Sequence, residues 1–296
     1  MPTPPPPPSL DDTVRSVCSA LTDHDIPSPE VLLFLATGAE TWAEHLADGH
    51  EVALGEIEGM PERWRSAVLY AGMREGVRLW AMDDLGADPS AEAGAPAWAS
   101  AFPVWLAAAA GASILVHGSA GTSLEPATDR EDASPIAPGT IVAVCDHMNL
   151  CGRSPLTGLG ESRLGPLFPD MGRLHHLGLA DAARARAEEL GLPFTRAIAA
   201  CTLGPALETP SEQRMLARLG ADVAVQGLAA PLLAAAHAGL STLALVCVAA
   251  TARARADVQP LLERAEELAP ALDRLILALL PDFSLAARAL SPEDYT

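Results

Sequence analysis

Glu208 has the surroundings of a ligand-binding carboxylate. It follows an apolar run that ends in Gly204-Pro205, a strand turning into a loop, and it precedes Thr209-Pro210-Ser211-Glu212. That tetrapeptide has the order of a helix start: Thr209 as N-cap, Pro210 at the first helical position and Glu212 three residues after the cap. A carboxylate on such a loop can accept hydrogen bonds from a ligand, although a solvated loop Glu has the same pattern. Gln226-Gly227 closes the short apolar run Val223 to Val225, and Asp83-Asp84 closes the run Val77 to Met82. Thr37-Gly38 and Gly118-Ser119-Ala120-Gly121-Thr122 each follow an apolar run. Each is either a simple tight turn or a loop whose backbone N–H groups admit an anion. Asp146-His147 reads as a structural turn or as an acid–base pair. His175-His176 invites a metal reading, but adjacent residues on a helix point apart, so no metal site is expected.

These residues need strands and helices to hold them. Cys201 to Leu240 reads as strand, loop, helix, short strand, helix, with helix ends at Gly220 and Gly239. In such units ligands bind beyond the carboxyl ends of the strands, which puts Glu208 and Gln226-Gly227 at one candidate mouth. Upstream, the pattern predicts a helix over Leu10 to Leu21 and a buried strand over Val31 to Leu35 that runs into a helix. Strands over Val68 to Tyr70 and Val77 to Met82 flank a turn at Met73–Gly76. A helix opens at Phe102-Pro103-Val104 and ends at Gly111, a strand covers Ile114 to Val116, and the small-residue stretch Gly118 to Thr122 follows as a loop. Ile141 to Val144 and Leu243 to Val248 read as strands. Pro260 to Leu280 reads as an amphipathic helix kinked or broken at Pro270. The alternation predicts one α/β domain over residues 10–290, a twisted mixed sheet flanked by helices. Residues 1–9 read as a proline-rich arm and 291–296 as a tail.

Composition narrows the partners. The chain has 296 residues, 49% hydrophobic, ample for a sizeable core. Its 19 Lys+Arg against 38 Asp+Glu give a net charge of −19, which repels phosphate backbones and argues against nucleic acid as a partner. The five cysteines are odd in number, have no C-x-x-C spacing and lie mostly in apolar runs. They read as buried thiols in a reducing compartment. No signal peptide and no membrane span are expected, and a cytoplasmic location follows.

Several spaced motifs together carry a family resemblance. Gly204-Pro205-Ala206-Leu207-Glu208-Thr209 is followed by Leu219-Gly220-Ala221-Asp222 and by His237-Ala238-Gly239-Leu240. Earlier come Phe102-Pro103-Val104, Asp146-His147-Met148-Asn149-Leu150, Ser154-Pro155-Leu156-Thr157-Gly158 and Phe168-Pro169-Asp170-Met171. From Val31 to about Leu280 the chain resembles the trimeric purine nucleoside phosphorylase family, which also includes methylthioadenosine phosphorylases. The resemblance implies a purine nucleoside as ligand, inorganic phosphate as co-substrate, no cofactor, and a homotrimer with residues 155–168 near the subunit contact. It places Glu208, Leu207 and Ala250 at the base, Gln226 at the ribose, and Thr37, Ser119, Ala120 and Gly227 at the phosphate.

The resemblance fails at the chemistry. The family's phosphate-gripping Arg falls at Leu85 and its nearby His at Ala87, and no cation near them replaces the loss. Asp83 and Asp84 stand where the anion should approach; at about 4 Å and a surface-like dielectric each like-charge contact costs on the order of 4 kcal/mol. An earlier family His has no counterpart near Pro61 to Arg65. Gly227 replaces a Ser, Gln226 a Met, Leu207 a base-stacking Phe, Ala250 the purine-binding Asn, and Leu164 an aromatic that reaches the neighbouring subunit's site. Low or absent phosphorolysis is expected, from either a divergent phosphorylase or a non-catalytic member of the fold.

Overall fold

The computed structural model describes residues 9–36, 38–86, 94–126, 134–252 and 258–290. Among these residues, nine strands form one mixed sheet in the order β2-β3-β4-β1-β5-β8-β7-β6-β9. The strands are β1 (Val31–Leu35), β2 (Ala47–Ala53), β3 (Val68–Arg74), β4 (Val77–Asp83), β5 (Ile114–Ser123), β6 (Ile141–Asn149), β7 (Phe194–Thr202), β8 (Val223–Gln226) and β9 (Ser241–Thr251). The last strand also pairs with β5, in parallel over Ile114 to Ser123, so that this half of the sheet curls into a ring. Around it lie α1 (Leu10–Asp23), α2 (Phe102–Ala110), α3 (Leu177–Glu189), α4 (Pro210–Leu219), α5 (Ala229–Ala238), α6 (Val258–Ala278) and α7 (Leu280–Leu290).

Both faces of the central strands are covered, and the sequence pattern reflects it. In β1, Leu32 and Phe34 enter one apolar cluster with α1, α2 and α5, while Val31, Leu33 and Leu35 enter another with α3, α6 and α7. Successive side chains of a strand point to opposite faces, so a strand buried on both sides reads as an unbroken apolar run. The expected single α/β domain with a mixed sheet and flanking helices is present. The capping box also forms as the sequence predicts: Thr209 Oγ1 accepts from the Glu212 N–H, and the Glu212 carboxylate accepts from the Thr209 N–H.

Three local expectations need correction. Gly118 to Thr122 is the second half of β5 and not a loop, because β9 and the end of β8 supply ladder partners on both sides. The helix expected after β1 is a short 3-10 turn, Ala39–Glu44, followed by the edge strand β2. The last helical stretch runs on through Pro270 and breaks at Leu279, just before Pro281. Asp273 of α6 ties that helix to the 3-10 turn by accepting from Trp42 Nε1 at 3.1 Å and Thr41 Oγ1 at 3.0 Å.

His237, near the end of α5, is 1% exposed and its Nδ1 accepts from the Trp105 indole N–H at 3.0 Å. That bond requires a lone pair on Nδ1, and burial lowers the ring's pKa below the ordinary value. The unfolded ring takes a proton below about pH 6.5 that the folded ring resists, so its contribution to stability is present above that pH and is lost as the pH falls. Denaturant titrations from pH 7.5 to 5 should show stability declining by at most about 1.4 kcal/mol per pH unit from this group. His237→Gln, whose amide oxygen can still accept from Trp105, should flatten the decline.

Candidate active site

A cavity of about 510 Å³ opens at the carboxyl ends of β4, β6, β7 and β8. This is within the ordinary size of small-molecule sites, and strand carboxyl ends are where open α/β sheets place ligands. Its walls come from Asp84 and Gly86 after β4, Arg63, Ala97, Ala99 and Ser100, the loop Cys151 to Pro155, Thr202-Leu203 at the end of β7, and Gly227 with Ala229 to Pro231 at the start of α5.

Among the described residues, Gly227 is the one predicted site residue in the wall. Glu208 sits one contact behind it, 8% exposed, with Oε1 accepting from the Thr202 hydroxyl at 2.6 Å. Gln226 is tied to the Glu208 loop: its Nε2 donates to the Ala206 carbonyl at 2.9 Å, and its side chain closes against Gly204. Leu207 is half-buried on the same loop. Ser119 lies in β5, 7% exposed, with a buried Oγ that has no hydrogen-bond partner, and Ala120 follows it in register with Cys247. Ala250, half-buried near the end of β9, pairs with Thr122. Thr37, Ala87, residues 1–8 and residues 291–296 lie outside the described residues.

Both carboxylates at the end of β4 have internal partners. Asp83 Oδ1 accepts from the Ala39 N–H at 3.1 Å, the first amide of the 3-10 turn that follows Gly38. An anion held by this turn would compete for the same donor. Burial pushes the Asp83 carboxyl up, the Ala39 N–H opposes this, and Glu40 and Asp84 push it further up. Asp84 Oδ1 accepts from the Gly86 N–H at 2.9 Å, and Oδ2 lies 3.0 Å from Nε2 of His117, an almost wholly buried pair. A carboxylate only accepts, so Nε2 donates and the buried Nδ1 of His117 is left without a partner.

The sequence offered no cation near Leu85, yet two reach the cavity from elsewhere. Arg63 comes from the 3-10 turn Glu62–Trp64, donates through Nη2 to the Gly86 carbonyl and lies 5.3 Å from the centroid of the Trp64 ring. Arg153 comes from the loop after β6. Sequence reasoning also missed Thr202 and His117. His117 was findable as a polar residue inside the apolar run Ile114 to Val116 and its continuation; Arg63 carries no such signal, because its position depends on how a turn folds back over β4.

The cluster Asp146, His147 and His175 lies outside the cavity wall. His147 Nδ1 and His175 Nε2 are 3.0 Å apart. Burial, and for His175 also its neighbour, lowers both pKa values, that of His175 to about 4. His176 points elsewhere and caps α3, its Nδ1 accepting from the Leu179 N–H at 3.0 Å.

A family model described as the phosphorylase superfamily matches residues 30–281. Purine nucleoside phosphorylase 1 of Bacillus subtilis is 26% identical over 284 residues, covering 93% of this chain and 100% of that protein. A purine nucleoside phosphorylase of Cellulomonas is 31% identical over 267 residues, covering 83% of this chain and 86% of the relative. Among solved structures, a Schistosoma purine nucleoside phosphorylase in complex with hypoxanthine superposes with a TM-score of 0.82 at 20% identity, covering 93% of this chain and 98% of the other. Schistosoma mansoni purine nucleoside phosphorylase in complex with adenosine gives 0.80 at 21% identity, over 92% and 98%.

Asp83→Ala should have two opposite effects. Loss of a charged hydrogen bond to the Ala39 amide should destabilise the fold by about 1.5–3 kcal/mol. Removal of the negative charge should let inorganic phosphate bind at least about tenfold tighter, since one like-charge contact at short range exceeds the 1.4 kcal/mol that a tenfold change requires. Calorimetric titration with phosphate reads the second effect, and unchanged affinity would show that Asp83 does not guard an anion site.

Proposed function

This chain belongs to the phosphorylase superfamily, and from that premise we propose that it is a divergent purine nucleoside phosphorylase-like protein whose cavity takes a purine nucleoside and whose phosphorolysis is weak or lost. The observation that carries the reading is the pair of carboxylates at the end of β4, with Asp83 on the Ala39 N–H and Asp84 on Gly86 and His117. Phosphorolysis needs a desolvated phosphate clamped beside C1′, a ribose held as it becomes oxocarbenium-like, and a stabilised leaving base. The first requirement meets two acidic side chains. The second loses a side chain that the family uses, because the Gln226 amide binds its own loop. The third retains Glu208, which meets the cavity through Thr202. Losing one oxyanion-type donor costs roughly 2.7–4 kcal/mol, and losses at two of the three centres remove most of the catalysis. A protein that binds the nucleoside without turning it over is the limiting form of this reading.

Arg63 and Arg153 give the cavity wall positive charge that the family position at Leu85 no longer supplies. Arg63 is committed to the Gly86 carbonyl and the Trp64 face, so it neutralises the Asp84 neighbourhood more than it offers an open fork to phosphate.

The same reading includes a homotrimer in the cytoplasm, with residues 155–168 at the subunit contact. Leu167 and Phe168 support it, being 45% and 88% exposed on that segment, large apolar side chains that a partner surface would cover. Light scattering at micromolar concentration should give three chains per particle, and a clean monomer would contradict this part.

With inosine and phosphate, turnover should lie at least about a hundredfold below the enzyme median of about 10 per second. Inosine should nevertheless bind, and Glu208→Gln should weaken that binding by about 10- to 150-fold, the value of one charged hydrogen bond. Turnover near the median would overturn the impaired-site reading, and unchanged binding in Glu208→Gln would remove Glu208 from the base site.

A further inference from the structure

Three side chains with metal-ligand chemistry converge where the sequence pattern alone keeps them apart. Asp146 and His147 lie on β6, beside a register shift in which Cys145 is the extra residue between Val144 and Asp146. Such a bulge re-aims the side chains that follow it, relative to a regular continuation of the strand. His175 is fixed from the other side by a short parallel bridge to Thr242. The Thr242 N–H donates to the Leu174 carbonyl at 3.0 Å, and the His176 N–H donates to the Thr242 carbonyl at 2.9 Å.

The result is compact. One donor atom from each of Asp146, His147 and His175 lies within 4.8 Å of the others. His147 Nδ1 and His175 Nε2 are 3.0 Å apart, and the rings meet edge to face at 71°. Two nitrogens bound at about 2.0–2.1 Å in a tetrahedral zinc site lie about 3.3 Å from each other, so this spacing needs an opening of only a few tenths of an ångström. Asp146 is exposed and its Oδ1 accepts from the adjacent His147 N–H at 2.8 Å, which leaves the other carboxylate oxygen to turn toward the imidazoles. The buried Nδ1 of His175 has no hydrogen-bond partner. None of the three residues lines the cavity, so this cluster is separate from the candidate nucleoside site.

We propose that Asp146, His147 and His175 form a binding site for one divalent transition-metal ion of the zinc type. Two imidazoles and one carboxylate suit zinc, cobalt or nickel over magnesium or calcium, which prefer all-oxygen shells. Three protein ligands leave a fourth position, which water fills from the exposed Asp146 side. The site does not depend on nucleoside binding. The competing arrangement is two imidazoles sharing one hydrogen bond, with Asp146 solvated.

The test uses the full chain stripped with EDTA and then dialysed against Zn2+, with metal content measured per chain. The site predicts one Zn2+ retained per chain, and an intense visible spectrum on Co2+ substitution. His147→Gln and His175→Gln should each weaken Zn2+ binding by more than the roughly 10- to 100-fold that follows loss of a ligand's outer support. The exposed His24→Gln should leave it unchanged. Circular dichroism verifies that the variants fold. Should either fail to fold, the histidine ring resonances of the unaltered chain decide: Zn2+ shifts those of His147 and His175 if the site is real. Equal retention by the parent and the His147→Gln/His175→Gln double variant, or ring resonances that ignore Zn2+, would overturn the proposal and leave a His–His hydrogen bond.

Discussion

A carboxylate taken out of water must find donors, and the pairing of Asp84 with His117 meets that demand at the centre of this structure. The two groups lie 3.0 Å apart with almost no exposure. The sheet sets up the meeting. Met82, Phe34 and His117 stand in one row across β4, β1 and β5, and Asp83, Leu35 and Gly118 form the next. A Cβ at Gly118 would come within 2.8 Å of Leu35 Cδ2 and 3.0 Å of Leu272 Cδ2, so the two leucine side chains close over this glycine. Asp84 then emerges one residue past β4, over the His117 ring.

This constraint decides what the cavity can hold. Asp84, held by Gly86 and His117, is the carboxylate in the cavity wall, and Asp83 stands next to it in sequence on the amide at the start of the first 3-10 turn, so this end of β4 presents acceptors where an anion needs donors. The arginines reach the cavity from Glu62–Trp64 and from the loop after β6, on different elements from the carboxylates. Apolar side chains of Ala97, Ala99 and Ala229 to Pro231 also line the cavity, and Thr202 in its wall is hydrogen-bonded to Glu208 behind it.

Much of this was legible in the chain. Helix starts and stops carry local chemistry, so the capping box at Thr209 and the stop at Gly220 were readable from a few residues. Buried central strands such as β1 were readable because both faces are apolar. The second half of β5 was not, since Gly118 to Thr122 has the composition of a turn and becomes strand only because β9 runs beside it. The edge strand β2 escaped for the opposite reason, its Asp48, Gly49 and Glu51 being exposed and His50 half-buried, with no apolar run among them. At the site, Leu85 and Ala250 could be read as the residues at the positions where the resemblance implies an Arg and an Asn, but Arg63 could not be placed, because a cation's reach depends on tertiary folding. His147 and His175 show the same limit: the rule that neighbours on a helix diverge disposes of His175-His176 and says nothing about a residue 28 positions away.

The most direct test of the account is the thermodynamic coupling between nucleoside and phosphate. Inosine binding to the full chain is measured calorimetrically, first without phosphate and then at saturating phosphate or the highest attainable concentration. A working phosphorylase site holds the two ligands in contact, and each should then change the affinity of the other by the same factor. The carboxylates at the end of β4 predict inosine affinity that is the same in both titrations within about twofold, a coupling under about 0.4 kcal/mol. A gain of tenfold or more in the presence of phosphate would contradict the account and show that an anion does bind beside Asp83 and Asp84.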